Sequence, residues 1–366
     1  MLQAAYAKNA KDVAAAFGIA RKWAGRYDAP KAEEKYKEVI ALDPEGKAGS
    51  YTDPETQITA PYVEYAKYSI VMAASRGAKP DMAPVKAFIA ENPRSPLAKE
   101  AYRRGSNFYS RQPKAEADKF FAEYTAAYPD DPEALVSWLR RIVRDKGPMD
   151  KGAELVARLR GLTNSDPSPS INQTIAQFYD LAGDKAKAEE VYGSKFMDNR
   201  LETGSYNLVA YATYWVDKKE NLESALAAAE MALKLQPGDD PSFLRSVAGV
   251  YLKAGDEAKA LDVYGPSWLE KKTADKAHQD MVSYASFWMR QGKNLESALG
   301  AVQKAVELRP KDYYYRSALS DVYAKLGNKA EAIKAAEKAL ELAEGNAKTG
   351  MQRKIDALKG PAPEKK

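Results

Sequence analysis

The sequence predicts an all-α chain, a solenoid of about nine helical hairpins closed by a C-terminal capping helix. Three observations carry that expectation. Apolar residues recur three and four apart through most of the chain, the period of a helix with one buried face, and strand-type alternation is hard to find. Gly and Pro fall mostly between these segments, where they stop helices. The chain also repeats itself. NLESAL begins at Asn221 and again at Asn294, 73 residues later, and Tyr65, Trp138, Tyr211 and Tyr284 keep the same spacing. A spacing of 72 relates Tyr179, Tyr251 and Tyr323, then Gly183, Gly255 and Gly327, then Ala188, Ala260 and Ala332. Three residue types in one frame make the duplicated unit a pair of hairpins, and a fixed period marks stacked repeats.

In chain order, residues 1–44 read as an N-terminal hairpin, whose Trp23, Ala32, Tyr36 and Pro44 recur 85 residues later as Phe108, Ala117, Phe121 and Pro129. Residues 45–60 (EGKAGSYTDPETQITA) are polar and rich in turn formers, and are expected as an extended linker or hinge. The repeat array is expected over 61–344, with hairpins at 61–93, 96–129, 131–166, 168–196, 204–237, 240–268, 277–310 and 312–344. A capping helix over 345–359 and an extended or disordered tail over 360–366 complete the chain. Asn221 and Asn294 stand where helix N-caps belong, with Glu223 and Glu296 in the first turn beside the positive helix end. The acidic pairs Asp130–Asp131 and Asp239–Asp240 follow prolines at hairpin ends and read as turn and cap residues.

The clearest unit runs from Tyr313 to Leu342. Leu319, Ser320 and Tyr323 lie on its first helix, Gly327 ends that helix, and Ala332 and Ala339 follow on the second. Small residues let two helices approach, and Gly327 takes the left-handed cap without penalty. Pro310 closes the preceding hairpin. This pattern resembles the tetratricopeptide repeat (TPR) family, with Arg316 where the family carries Trp and no closing proline, as suits a terminal unit. The resemblance implies a right-handed solenoid that binds a peptide or protein segment on its concave face. By the family's register the residues turned to that face are Tyr102, Ser106 and Tyr109, then Glu133 and Arg140, Gln173 and Gln177, Tyr206 and Thr213, Arg245, Gln279 and Ser286, and Tyr314 and Asp321. The Lys/Asn/Arg clamp by which chaperone-binding members hold a terminal carboxylate is not reproduced in adjacent hairpins.

Two weaker resemblances follow. FIAENPRSPLAKEAYRR and AEADKFFAEYTAAYPDDPEAL are similar to repeats of bacterial envelope TPR proteins. The whole chain looks like the helical repeat region that follows a thioredoxin domain in some exported bacterial proteins, but it has no CxxC of its own. Together they lean towards a periplasmic or exported protein rather than a cytoplasmic one. The start, MLQAAYAKNAKDVAAAF, does not read as a signal peptide, so the chain is expected either to stay in the cytoplasm or to begin after processing.

Composition narrows the chemistry. The 366 residues include no Cys and one His, His278, which leaves neither a thiol nor a Ser–His–carboxylate set. No cofactor or metal is expected, and no catalytic residue. The 56 basic and 51 acidic side chains are interspersed, as on solvated helix faces. Arg103, Arg104, Arg140, Arg141, Arg144, Arg158 and Arg160 cluster, either as an anion site or as a ridge paired with local carboxylates, and the paired ridge weighs more. Nucleic acid would need a more continuous basic track. No apolar run reaches the length of a membrane span. The expected function is a non-catalytic interaction scaffold. Its rivals are a self-associating ring or filament subunit, joined through terminal repeats or the tail, and the repeat region of a redox protein whose catalytic domain lies elsewhere.

Overall fold

The computed structural model describes residues 6, 9–76, 80–162, 168–195 and 204–360. Contacts group the chain into two compact units, Met1–Ala188 and Glu189–Lys366. The tail expected at 360–366 lies outside the described residues, except for Gly360.

The first unit opens with α1 (Val13–Gly25) and α2 (Ala29–Leu42). The strands β1 (Ser50–Thr52) and β2 (Thr59–Pro61) follow. Then come α3 (Tyr62–Ala74), α4 (Ala83–Glu91), α5 (Pro96–Tyr109), α6 (Lys114–Ala127), α7 (Pro132–Asp145), α8 (Met149–Leu162) and α9 (Pro169–Leu181). Helix α10 (Lys185–Tyr192) straddles the division. The second unit holds α11 (Ser205–Lys218), α12 (Leu222–Leu235), α13 (Pro241–Ala254), α14 (Glu257–Tyr264), α15 (Pro266–Ala274), α16 (His278–Gln291), α17 (Leu295–Leu308), α18 (Tyr313–Lys325), α19 (Lys329–Leu342) and α20 (Gly345–Lys359).

Within each unit, helices pack as consecutive pairs, and each pair touches the next, as in TPR-like repeats. First helices also lie side by side: α3, α5, α7 and α9 in the first unit, and α11, α13, α16 and α18 in the second. Local chemistry sets the boundaries. Asp131, Asp240 and Asp312 each accept a hydrogen bond from an amide of the first helical turn, and proline occupies the first helical position of α7 and α13. Three first helices end on a left-handed glycine: Gly183, Gly255 and Gly327, at φ +78°, +90° and +82°. After each, an amide reaches back five residues, from Asp184 to Tyr179, Asp256 to Tyr251 and Asn328 to Tyr323.

Three expectations need correction. Residues 45–60 are not an extended linker. Tyr51 pairs with Ala60 in an antiparallel hairpin, and Asp53 holds its turn by accepting from the amides of Glu55 and Thr56. Three-residue strands are too short to leave a period-two signal in the sequence. The Tyr51 ring turns inward, 5.1 Å from both Phe17 and Tyr65. Second, α15 adds a helix after the seventh hairpin, started by Pro266. Third, Asn221 and Asn294 do not cap by side chain. Both adopt left-handed backbone, φ +47° and +51°, which Asn tolerates better than most residues. Their amides turn away, Asn294 donating to the Tyr284 hydroxyl at 2.6 Å and Asn221 to Glu189.

Candidate functional site

Three expected binding residues are buried instead. Tyr102 stacks on Tyr124 at 4.8 Å, Tyr109 on Phe120 at 4.1 Å, and the Ser106 hydroxyl bonds back to the Tyr102 carbonyl. On α5 the outward residues are Arg103 and Asn107. The expected register is therefore one residue out on this helix, and one residue turns the face by about 100° at 3.6 residues per turn.

The other expected residues lie at or near the surface. Arg140 is exposed, donating to Ser170 Oγ at 2.6 Å, with Glu133 3.5 Å away. Gln173 and Gln177 on α9 are half-buried. In the second unit, Tyr206 is 54% exposed and its ring meets Phe243 edge-on. The Thr213 hydroxyl is taken by the Val209 carbonyl at 2.8 Å. Arg245 is half-buried and Gln279 exposed.

The structure brings Ser286, Tyr314 and Asp321 together. They share a cavity of about 70 Å³ between α16 and α18, floored by Ala285, Met289, Val302, Ala318 and Val322. Tyr314 is 56% exposed at its mouth. The chain builds this mouth from one cap. Asp312 accepts from the Tyr314 amide at 2.9 Å and starts α18, so Tyr314, Ser317 and Asp321 fall at i, i+3 and i+7 on one face. Lys354 on α20 reaches in from the side. Its ammonium donates to both Asp321 carboxylate oxygens at 2.8 Å and to Ser317 Oγ at 2.6 Å. The pair neutralises the charge at that wall and leaves the floor apolar.

Sequence reasoning missed Met289, Ser317 and Lys354. Met289 and Ser317 were legible in principle, each three residues along its helix from a residue already chosen. Lys354 was not, because nothing local ties α20 to α18. The arginine cluster divides. Arg141 is buried and donates to the Ser110 and Gln112 carbonyls, Arg144 donates to Ser110, and Arg158 to the Pro129 carbonyl at 2.9 Å. These side chains tie loops to helices. Arg103 and Arg104 stand apart, sharing the Glu100 carboxylate.

His278 Nδ1 lies 2.6 Å from the Tyr315 hydroxyl. Among the described residues no group of three or more His, Cys, Asp or Glu side chains is placed to hold a metal ion. No described helix is long and apolar enough to cross a membrane.

Neither a protein family nor a curated protein sequence matches the chain. Three solved structures are similar to it. One is the Cut9–Hcn1 hetero-tetramer of the APC/C, at 11% identity over 94% of this chain and 76% of that one, with TM-score 0.35. Another is the human IFIT1 dimer with PPP-AAAA, at 16% identity over 93% and 85%, with TM-score 0.40. The third is the C-terminal part of a TPR repeat-containing protein from Cytophaga hutchinsonii, at 17% identity over 69% and 97%, with TM-score 0.40. The TPR-like architecture of this chain rests on its own helix pairs and their repeating caps.

Proposed function

We propose that this chain is a non-catalytic scaffold that binds an extended peptide segment on the face made by its first helices. The observation that carries this reading is the cavity between α16 and α18, where three residues selected by repeat register meet around an apolar floor. Its size favours a side chain over a small molecule. Ligand-sized pockets run to roughly 300 Å³ or more, against about 70 Å³ here. A passing peptide would seat one short aliphatic side chain, with the Tyr314 ring covering it and Ser286 offering a hydrogen bond to its backbone.

The test is panning of the full chain against a random linear peptide library, followed by calorimetry on the enriched sequences. Enriched peptides are expected to share one aliphatic residue. Tyr314→Ala, at a surface position where stability effects stay within about 0.5 kcal/mol, is expected to weaken them about tenfold. Ser286→Phe, which fills the cavity, is expected to do the same. Absence of enrichment, or enriched peptides indifferent to both changes, overturns the reading.

A further inference from the structure

The contact between α3 and α5 in the first unit holds charge that its own partners do not use up. Glu100 is only 6% exposed. Arg103 grips it twice, Nε to Oε2 at 2.6 Å and Nη2 to Oε1 at 2.7 Å, and Arg104 Nε donates to Oε1 at 2.6 Å. One carboxylate thus faces two guanidiniums, which leaves one positive charge over. Arg103 Nη1 and both Nη groups of Arg104 have no acceptor among the described residues.

A second observation, on the facing helix, also points to a missing acceptor. Tyr68 on α3 is 9% exposed, its ring packed on Phe88 and Tyr65. Its hydroxyl is buried and has no hydrogen-bond partner among the described residues. Burial raises its pKa to about 12, so it stays protonated and remains a donor at neutral pH. Helices α3 and α5 are in contact, and the charges that act on the hydroxyl are those of Arg104, Glu100, Arg76 and Arg103. An unmet buried donor destabilises the fold, and an incoming acceptor would remove that cost.

We propose that Arg103, Arg104 and Tyr68 form a docking point for one side-chain carboxylate of an acidic peptide lying along the first helices of the first unit. This rests on the reading of that face as a peptide-binding surface. The excess of a single charge matches a carboxylate better than a phosphate dianion, and a planar pair of oxygens fits the fork of a guanidinium. Glu133 on α7, whose charge acts on Arg103, sets a limit on the negative charge the site takes.

The test measures binding of a fluorescent twelve-residue Glu/Ala peptide, and of its Gln/Ala counterpart, to the full chain at low salt. The Glu peptide is expected to bind at least tenfold more tightly, with acetate competing at lower concentration than inorganic phosphate. Tyr68→Phe keeps the ring and removes the lone O–H. It is expected to leave the fold as stable or more stable, yet weaken the Glu peptide three- to tenfold. The triple change Arg103→Gln, Arg104→Gln, Glu100→Gln removes the cluster without stranding a charge, and is expected to abolish the preference for Glu. Equal binding of the two peptides overturns the proposal, as does a Tyr68→Phe variant with unchanged affinity, or stronger competition by phosphate. Ser286→Phe distinguishes the two readings. If library peptides ignore that plug while the Glu peptide binds as described, the cavity reading fails alone and this one stands.

Discussion

The two units solve the same stacking problem with different regularity. In the second, one device is used twice. Trp215 Nε1 donates to the Tyr192 carbonyl at 2.7 Å, and 73 residues on Trp288 Nε1 donates to the Tyr264 carbonyl at 2.8 Å. Tyr211 and Tyr284 repeat a second bond, to Ser224 at 2.8 Å and Ser297 at 3.0 Å. In the first unit the equivalent Trp138 donates its Nε1 to the Asp118 carboxylate, at 3.4 Å, instead of to a carbonyl, and Lys151 lies over its ring. There a β-hairpin, stacked tyrosines and a shared carboxylate fill the space that repetition fills in the second. The comparison teaches that the second unit is held by copied local bonds and the first by particular side chains.

The largest way to break this contrast is through the tryptophans. Trp288 is fully buried. Trp288→Ala is expected to cost about 3–5 kcal/mol by emptying that volume, plus the unmet Tyr264 carbonyl. Hydrogen exchange is expected to show lost protection across 278–308 with residues 96–160 unchanged. Trp215→Ala is expected to match it. If Trp138→Ala costs as much as either, the two units do not differ in the way described.

The next effect belongs to the first unit. Gly152 on α8 lies so close to Phe178 on α9 that an added Cβ would stand 2.2 Å from the ring carbon Cε2. Phe178 is itself buried, so it cannot swing out. Gly152→Ala is expected to cost about 1–3 kcal/mol, the range for overpacking a filled core. Urea denaturation checks this. Gly255→Ala in the second unit is strained for another reason, its φ of +90°, with open space around the added atom.

The regularity of the second unit explains what was legible in the sequence. Tyr, Gly and Ala repeat there because the same helix contact and the same left-handed cap are made again, and each copy corroborates the others. That frame also led to Ser286, Tyr314 and Asp321. Extended to the first unit it chose Tyr102, Ser106 and Tyr109, because α5 has lost the frame and buries a stripe one residue over. The β-hairpin carries no period to read, and Lys354 meets Asp321 across 33 positions. Asn221 and Asn294 looked like caps since residue type alone does not reveal a left-handed φ.

A smaller effect is electrostatic and distinguishes the units by pH. Burial pushes the Glu100 carboxyl up, but the hydrogen bonds and charges of Arg103 and Arg104 outweigh it, and the net pKa lies below the ordinary 4.5. A folded value below the unfolded one stabilises the chain above the unfolded pKa. That stabilisation is lost as pH falls from 4.5 through the lowered value. Glu100→Gln is therefore expected to flatten the fall in stability below pH 4.5, in melting curves taken at stepped pH, and to leave exchange in the second unit unaltered. An unchanged acid profile would mean that the cluster contributes nothing to folding.

The smallest effect tests whether the copied caps of the two units are interchangeable. Lys146, Lys219 and Gly292, spaced by 73, all take left-handed backbone, at φ +58°, +57° and +67°. Each is followed by the same return bond, in which the next amide reaches back five residues, to Ile142, Trp215 and Trp288. A left-handed non-glycine residue costs roughly 1–2 kcal/mol, and glycine returns about 0.5–1 of that through the freer unfolded chain. Lys146→Gly and Lys219→Gly are each expected to stabilise by about 0.5–1 kcal/mol. At Gly292 an added Cβ meets only the Lys325 side chain, at 3.7 Å, an ordinary contact. Gly292→Lys is therefore expected to lose the same amount from backbone strain alone. Equal and opposite shifts in urea midpoint would make the cap one device used in both units. A shift at Lys219 without one at Lys146 would instead assign the Lys146 cap to the particular packing of the first unit.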